Sequence, residues 1–311
     1  MVLALATPDV LERRIEAARR ERVQVLRSVV VLGRPTETNL ALVDAFAERG
    51  HRARLGDPAA PPCVGPGDVV LARLDVLSTL DGIERGLWDL PRLARAGAHL
   101  LNGPRSLAAA HDKLMTALFL GAAGVAQAAT AHVRDATVPL LGPPYVVKPR
   151  FGSWGRDVYL CHDEEGLRRR LALLAQKQWF RRHGALVQAL IQPTGRDLRL
   201  LVAAGQVVGA IERRAVPGEW RTNVALGAKR HRVDPPADAR ALALRAAAAI
   251  DIDLAGVDIA RDASGRCHVL EINGAVDFNP AYGDAVFAAA SRALLETGWL
   301  GRKNQRTPNH R

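Results

Sequence analysis

One segment of this chain has the pattern of a β-hairpin with acidic side chains on one face and apolar side chains on the other. The segment runs from Gly256 to Asn273, and Ser264-Gly265 lies at its centre. A turn there would place Asp258 directly across from Glu271, and strand alternation would put Asn273 on the same face. The opposite face would turn four apolar residues toward a core: Val257, Ile259, Leu270 and Ile272.

The acidic face of this hairpin favours a metal site. Two opposed carboxylates on a half-buried sheet repel each other unless a cation or a shared proton compensates the charge. Carboxylate and amide oxygens suit a hard ion such as magnesium, which also accepts substrate phosphate oxygens as ligands. The alternative from spacing alone is a solvated hairpin face with incidental acids. The candidate metal ligands are Asp258, Glu271 and Asn273.

A second feature is a lysine at the end of an apolar run, followed by a loop that contains glycines. Lys148 ends the run, and Gly152 and Gly155 follow it. Backbone N–H groups of such a loop, with one ammonium, can hold phosphates, although the segment is neither a Walker loop nor a dinucleotide fingerprint. The alternative is a flexible surface loop beside a solvated lysine. Arg213-Arg214 and Arg221 fit anion binding or, equally, a charged surface.

The composition indicates a globular protein with an excess of positive charge. Of its 311 residues 48% are apolar, and the formal net charge is +11. No run approaches the roughly 20 apolar residues that span a bilayer, so no membrane partner is expected. The three cysteines are far apart and form no C-x-x-C pair, which favours a cytoplasmic location over a disulfide framework. The charge favours acidic partners: nucleotides, carboxylates, an acidic protein or nucleic acid.

The first hundred residues alternate between strand and helix patterns. An amphipathic helix is expected over residues 8–27, and short strands at residues 28–32, 68–71 and 98–101. A helix from about Asn39 to Arg49, closed by Gly50, lies between the first two strands. This alternation predicts a small parallel α/β lobe over residues 28–100.

The rest of the chain combines helices with strands and two antiparallel hairpins. For residues 101–191 the pattern predicts a helix over 106–121, strands at 145–148, 157–161 and 185–191, and a helix over 164–176. For residues 192–298 the pattern predicts a hairpin over 197–214 that turns at Ala204-Gly205, a helix near 236–249, the hairpin 255–273 and a last helix over 284–297. The expected fold class is therefore α/β, with an antiparallel sheet in the last third of the chain.

Taken in order, these pieces resemble the ATP-grasp superfamily, in particular its RimK-like glutamate-ligase branch, which includes the ribosomal-protein glutamate ligases. The resemblance covers roughly residues 100–275 with compatible spacing. The matching motifs are Asp112-Lys113, Val146-Val-Lys148, the Gly152–Gly155 loop, Leu186–Ile191, Gly195–Arg199, Ile211–Arg214, Arg221–Asn223, Gly256–Asp258 and Leu270–Asn273. Each motif alone is weak, but the ordered set is specific.

The resemblance implies an ATP-grasp fold with three parts. These are an N-terminal Rossmann-like pre-ATP-grasp domain over residues 28–100, a small central α/β subdomain over 101–191, and a C-terminal antiparallel-sheet subdomain over 192–298. Residues 1–27 would be a helical extension, and residues 299–311 a disordered basic tail.

The resemblance also implies a site and a reaction. The ATP-binding residues would be Lys113, Lys148, Gly152, Ser153, Trp154, Gly155, Gln188, Ala189, Leu190, Asp197, Arg221 and Asn223, and the catalytic ones Arg213, Arg214 and Arg221. The lysines and the glycine loop would hold phosphates, main-chain groups near Ala189 would bind the adenine edge, and Asp197 would lie near the ribose. Asp258, Glu271 and Asn273 would bind two magnesium ions, or manganese. A carboxylate would take the γ-phosphate, and an amine would attack the resulting acylphosphate.

Two departures from the family pattern bear on the substrates. Ala189 stands where this branch has a glutamate, which removes one side-chain contact near the adenine. The stretch Gly274–Asn279 resembles ligases that act on acidic amino-group carrier proteins more than it resembles the ribosomal-protein ligases. We therefore expect glutamate or another amino acid to be added to an acidic protein or peptide, by an enzyme that forms a dimer or tetramer.

Three alternatives remain open at this point. The acceptor could be a small cofactor-like carboxylate, or the chain could be a nucleotide-binding protein that has lost turnover. The complete metal trio and both lysines argue against lost turnover. A nucleic-acid binder is disfavoured, because the chain shows no aromatic platform, zinc module or basic recognition helix.

Overall fold

The structure, a computed structural model, describes residues 28–60, 62–191 and 194–299. The helix expected over residues 8–27 and the basic tail beyond residue 299 lie outside the described residues. Within those ranges the chain forms three β-sheets. No helix in the described part is long and apolar enough to cross a membrane.

The first sheet is parallel, which confirms the prediction from strand and helix alternation. Its strands are β1 (Ser28–Leu32), β2 (Arg52–Gly56), β3 (Val69–Ala72) and β4 (His99–Leu101), in the order β2-β1-β3-β4. Helices α1 (Glu37–Glu48) and α2 (Leu90–Arg95) connect them. The sequence did not predict β2, because two arginines interrupt its apolar pattern. Ligands of parallel α/β sheets bind beyond the carboxyl ends of the strands, and here that edge faces the rest of the molecule.

The helix expected over residues 106–121 is two helices, α3 (Pro104–His111) and α4 (Lys113–Ala122). Asp112 separates them in an extended conformation, and its carboxylate accepts a hydrogen bond from the backbone N–H of Leu114 at 3.1 Å. The same carboxylate pairs with the Arg150 guanidinium. An aspartate that caps a helix ends the preceding one, since its backbone leaves the helical region. The break places Lys113 at the first turn of α4.

The middle sheet is antiparallel. Its strands are β5 (Thr130–Val133), β6 (Tyr145–Pro149), β7 (Tyr159–Cys161) and β8 (Ala185–Ala189), in the order β5-β8-β6-β7. Helices α5 (Glu164–Leu174) and α6 (Gln178–His183) lie between β7 and β8, and the apolar residues of both helices pack on the sheet. The sequence predicted β6 one residue too short and β7, β8 and α5 with longer bounds, and it missed β5 and α6.

The third sheet is a five-stranded antiparallel sheet. Its strands are β9 (Arg196–Ala203), β10 (Gln206–Arg214), β11 (Lys229–Arg232), β12 (Leu254–Arg261) and β13 (Cys267–Asn273), in the order β11-β10-β9-β12-β13. The predicted turn at Ala204-Gly205 is confirmed, with φ angles of 45° and 76°. Helix α7 (Ala237–Ala249) packs on one face. The predicted last helix is present as α8 (Val286–Ala293), which continues directly into a π-helical segment over Leu294–Trp299.

The hairpin of β12 and β13 has the predicted pairing at its acidic residues. Asp258 lies opposite Glu271, and Val257 opposite Ile272. Beyond this point the register shifts by one residue, so that Ile259 pairs with Val269. The assignment of Leu270 to the core is therefore wrong: Val269 is buried there, and Leu270 turns toward the opposite face. A β-bulge has this effect because its extra residue puts two successive side chains on one side.

Candidate active site

A cleft between the middle and third sheets gathers most of the residues that the sequence singled out. Its empty volume is about 1040 Å³, open solvent included, which accommodates a nucleotide. The predicted residues that line it are Lys113, Lys148, Gly152, Ser153, Trp154, Gly155, Gln188, Ala189, Leu190, Asp197, Arg213, Arg221, Asn223, Asp258 and Glu271. Asn273 lines a second cavity beside this cleft, and Arg214 lines neither.

Arg214 lies outside the cleft because strand alternation turns it away from Arg213. Its side chain is exposed and pairs with Glu212 on the same strand. Arg213, one position earlier, is buried and points into the cleft. The position of Arg214 outside the cleft does not support a catalytic role in which its side chain contacts the reacting atoms.

Two lysines approach the cleft from different elements. Lys148, near the end of β6, is 8% exposed, and its Nζ lies 3.4 Å from the carbonyl oxygen of Leu270. Lys113 donates a hydrogen bond to the carbonyl of Gly152, and its Nζ lies 3.5 Å from the Glu271 carboxylate. The two ammonium groups thus border the same space, and no other lysine lines the cleft within the described ranges.

Burial and the neighbouring charge of Lys113 lower the pKa of Lys148 to about 8. The ammonium is charged below that pH and neutral above it. We therefore expect the affinity of the free protein for nucleotide to fall as the pH rises through about 8. Titration calorimetry from pH 6.5 to 9.5 would measure this fall, and a Lys148→Met variant should lose it. Equal pH profiles for the two proteins would contradict the role of Lys148.

The glycine loop is held closed over the cleft by a segment that follows β10. Gly155 has a φ of +70°, and a Cβ there would lie 2.7 Å from Oδ1 of Asn223. Arg221 donates from one terminal nitrogen to the carbonyls of Gly155 and Val158, at 3.3 and 3.4 Å. Arg221 and Asn223 therefore contact the loop itself, so they can place its backbone N–H groups around a phosphate.

Glu219 fixes the position of Arg221 and was missed by sequence reasoning. Its carboxylate accepts hydrogen bonds from the Nε, from a terminal nitrogen and from the backbone N–H of Arg221, at 2.8 to 2.9 Å. The hydrogen bonds from the Arg221 side chain lower the pKa of Glu219 to about 2, so the carboxylate stays ionised. The only sequence signal was the short spacing of an acid and an arginine.

The far end of the cleft is apolar and suits a flat aromatic ring. The backbone N–H groups of Ala189 and Leu190 donate to the carbonyls of Ala129 and Pro144, at 2.9 and 3.1 Å. Those two donors are thus already used inside the protein. Apolar residues that sequence reasoning did not assign to the site form the walls: Ala128, Val146, Ile191 and Leu270.

A buried network of ion pairs forms the floor of the cleft. Arg199 donates two hydrogen bonds to the Asp258 carboxylate, at 2.6 and 2.7 Å, and Arg213 donates a third at 2.7 Å. Arg213 also pairs with Asp197, which is 4% exposed and accepts a further hydrogen bond from Thr222 at 2.6 Å. Asp197 therefore serves first to hold Arg213. Sequence reasoning assigned no role to Arg199, although Arg199 ends the Gly195–Arg199 motif.

The three candidate metal ligands fit a magnesium ion by their chemistry. Burial alone would raise the pKa of Asp258, but the charges of Arg199 and Arg213 outweigh this effect and lower it, so the carboxylate is ionised. The arginines use three of about four acceptor positions of a carboxylate, which leaves one for a cation. Glu271 lies on the neighbouring strand, partly exposed, and all the ligands are oxygens. The described residues contain no group of three His, Cys, Asp or Glu that could hold a metal, so a site here would need the amide of Asn273, whose Oδ1 accepts a hydrogen bond from the backbone N–H of Ala275 at 2.9 Å.

Comparison with known sequences identifies the family. The sequence pattern of the RimK-like ATP-grasp domain matches residues 115–288, more than half of this chain. The chain belongs to the RimK-like ATP-grasp family. Among its RimK-like relatives, a protein named probable alpha-L-glutamate ligase from Serratia proteamaculans is 32% identical over 253 residues, 75% of this chain and 82% of the relative. One of the same name from Halorhodospira halophila is 30% identical over 294 residues, 84% of this chain and 94% of the relative.

Solved structures share the fold of this RimK-like chain at low sequence identity. A RimK-domain ATP-grasp protein from Sphaerobacter thermophilus has a TM-score of 0.63 at 22% identity, over 86% of this chain and 98% of its own. The D-alanine–D-alanine ligase of Bacillus anthracis, complexed with ATP, has a TM-score of 0.62 at 16% identity, over 90% and 100%. The ATP-grasp fold that the resemblance implied is thus confirmed, with a parallel first sheet and antiparallel central and C-terminal sheets.

Membership of the RimK-like family makes this chain an ATP-grasp ligase that forms a carbon–nitrogen bond. ATP-grasp ligases use ATP and magnesium, and the structural neighbour PsnB was solved with a minimal precursor, magnesium and ADP. That neighbour has a TM-score of 0.63 at 19% identity, over 86% of this chain and 97% of its own.

Proposed function

We propose that this protein joins glutamate, through its amino group, to a carboxylate acceptor that ATP has first converted to an acylphosphate. One observation carries this proposal: two lysines, a glycine loop and the carboxylates of Asp258 and Glu271 line a single cleft in a RimK-like fold. The name of the relatives, probable alpha-L-glutamate ligase, supports glutamate as the amine donor.

The residues of the cleft divide the work of phosphoryl transfer. Lys113 and Lys148 offset phosphate charge, and the glycine loop supplies backbone donors. Arg199 and Arg213 are fixed by their buried carboxylate partners. They place positive charge beside the position where negative charge develops on the transferred phosphoryl group. Magnesium held by Asp258, Glu271 and Asn273, as two ions or with manganese in its place, would neutralise the remaining phosphate charge. No protein nucleophile is needed.

Basic side chains beside the cleft support an acidic protein or peptide as the acceptor. They lie on β9, β10 and the edge strand β11, and comprise Arg196, Arg214, Lys229, Arg230 and Arg232. Glu212 partly compensates Arg196 and Arg214, and Asp284 pairs with Arg232. Lys229 and Arg230 form no ion pair within the described ranges. One structure of the neighbour PsnB contains a precursor peptide, so a related fold accepts a peptide.

An acidic protein acceptor predicts a steep salt dependence. Long-range attraction to the basic edge would raise the apparent affinity at low salt, because the Debye length falls from about 30 Å at 0.01 M to about 8 Å at 0.15 M. We expect the apparent KM for the acceptor to rise several-fold across this range, and less in an Arg214→Gln, Lys229→Gln double variant. Arg168→Gln, an exposed change on α5, is the control. If the best acceptor is a small carboxylate and its KM does not depend on salt, the acidic-protein acceptor is contradicted and the small-molecule alternative is favoured.

The reaction itself is tested by a screen for ADP formation that depends on an amino acid. The protein is incubated with ATP, magnesium and single amino acids, against a panel of small carboxylates and acidic peptides. The proposed function requires ADP release that needs both an amino acid and an acceptor, with a product heavier than the acceptor by one amino-acid residue. Binding of ATP without any such release would instead support a nucleotide-binding protein that has lost turnover.

A further inference from the structure

A second cavity adjoins the nucleotide cleft on the side of the first sheet. Its empty volume is about 690 Å³, and it shares Lys113, Arg213 and Glu271 with the cleft. Arg199 and Asn273 line it as well, and further polar residues come from segments far apart in the chain: Asp75 after β3, His111 at the end of α3, Arg230 on β11 and Asp277 after β13. The cavity therefore opens onto the place where phosphoryl transfer is proposed.

Several polar groups of this cavity have no partner in the described part of the chain. His111 is 4% exposed, and no hydrogen bond reaches its Nε2. Burial and the charge of Lys113 lower the pKa of His111 to about 4, so the ring is neutral near pH 7 and Nε2 can take one further hydrogen bond. Neither the half-buried Asp277 carboxylate nor the half-buried Arg230 guanidinium forms a hydrogen bond or ion pair within the described ranges. The Asp277 and Arg230 side chains are therefore available to a ligand, and of the three only the buried Nε2 of His111 departs from the rule that buried polar groups are hydrogen-bonded.

The charges of the cavity are separated between its two ends. Arg230 lies on β11 at one edge of the third sheet, opposite Arg213 in register. Asp277 follows β13 at the other edge, and the helix that ends in His111 packs against β13. Neighbouring strands lie about 4.8 Å apart, so the backbones of the edge strands β11 and β13 are separated by roughly 19 Å. The side chains of Arg230 and Asp277 shorten the distance that a ligand has to span between them. One end is therefore cationic and the other anionic.

The anionic end carries more negative charge than its buried partner offsets. Arg73 is 2% exposed and interacts electrostatically with both Asp75 and Asp277, while its hydrogen bonds go to Asn39 and to the carbonyl of Val276. One guanidinium lies behind the two carboxylates, and the charges of Lys113 and Arg34 also act on Asp75, so Asp277 is the carboxylate whose charge is less compensated. Lys113 lies between this end and Glu271, since it affects Asp75 electrostatically and its Nζ is 3.5 Å from Glu271.

We propose that Asp75 and Asp277, beside the buried ring of His111, bind the amino group of the incoming amino acid, while Arg230 binds a carboxylate at its other end. This inference rests on the proposed function and extends it to the residues that select the amine substrate. A zwitterionic acidic amino acid matches the cavity in sign at both ends, and its amino group then lies on the side of Lys113 and Glu271. None of these four residues belongs to the motifs that define the nucleotide cleft.

The test is the binding of small ligands to full-length protein saturated with magnesium and a non-hydrolysable ATP analogue. Calorimetry measures the affinities for L-glutamate, for glutarate, which lacks the amino group, and for L-glutamine, which lacks the distal charge. We expect Asp277→Asn to weaken L-glutamate roughly 10- to 100-fold, because a hydrogen bond to a charged group is lost, and not to weaken glutarate, which has no amino group at this end. Arg230→Gln should weaken L-glutamate and glutarate by a similar factor and L-glutamine much less.

Asp284→Asn is the matched control, because Asp284 is exposed and pairs with Arg232 outside both cavities. Melting temperatures show whether each variant is folded. Unchanged L-glutamate affinity in Asp277→Asn, or a wild-type protein that binds the nucleotide but no amino acid, would overturn the inference and leave the ligase assignment intact. A wild-type protein that does not bind the ATP analogue would overturn the proposed function instead.

Discussion

The Glu271→Gln variant is expected to lose at least about 100-fold in kcat while it remains folded. Glu271 is one of two carboxylates in the proposed metal set, and glutamine keeps its size but removes the charge that a divalent ion needs. The side chain is partly exposed and its nearest cations, Lys113 and Arg199, lie 3.5 and 3.9 Å away. Steady-state ADP formation at several magnesium concentrations would measure the loss.

Glu296→Gln provides a matched control for this change. Glu296 is an exposed glutamate that pairs with Arg49, and it lines neither cavity. It should retain wild-type turnover and wild-type magnesium dependence. Near-wild-type activity of Glu271→Gln, at ordinary magnesium concentrations, would remove Glu271 from the metal site.

Replacing Lys148 by alanine is expected to weaken ATP binding by roughly 10- to 100-fold. The ammonium is buried beside the cleft, where the attraction between charges is screened less than at the surface, and a charge-assisted hydrogen bond to phosphate is lost. Lys113→Ala should act in the same direction. Because Lys113 also contacts Gly152 and Glu271, its loss should in addition loosen the glycine loop. Calorimetry with the ATP analogue would measure both affinities.

Lys229→Ala serves as the control for the two lysine variants, since Lys229 is exposed on the edge strand and lines neither cavity. Its nucleotide affinity should equal that of the wild type. If Lys113→Ala and Lys148→Ala also bind ATP normally, the phosphates lie elsewhere and the ammonium groups have another role.

Much of the site could be predicted because its signals are local. Alternation along a strand and a short turn were enough to set Asp258 opposite Glu271, and the structure has that pairing. The order of short motifs was enough to indicate an ATP-grasp fold, which the RimK-like match confirms. Lys148 and the glycine loop lie beside each other because the chain between them is only a few residues long.

Other features could not be predicted because they depend on contacts between distant residues or on small shifts of the backbone. The bulge that turns Leu270 into the cleft moves the register by one residue, and apolar periodicity does not reveal which residue is extra. The end of α3 at Asp112 depends on Arg150, 38 positions later, whose guanidinium pairs with the capping carboxylate. The position of the glycine loop depends on its contacts with Arg221, which Glu219 orients.

The sequence by itself determined the family, the strand that carries each candidate acidic ligand and the positions of the two lysines, since strand period and motif order depend on neighbouring residues. Only the tertiary structure decided that Asp258 is held by Arg199 and Arg213, and that Arg214 points away from them. It alone brought Asp75, His111, Arg230 and Asp277 to one cavity. The physical reason is that burial, and with it the need for a partner, follows from how the three sheets pack together.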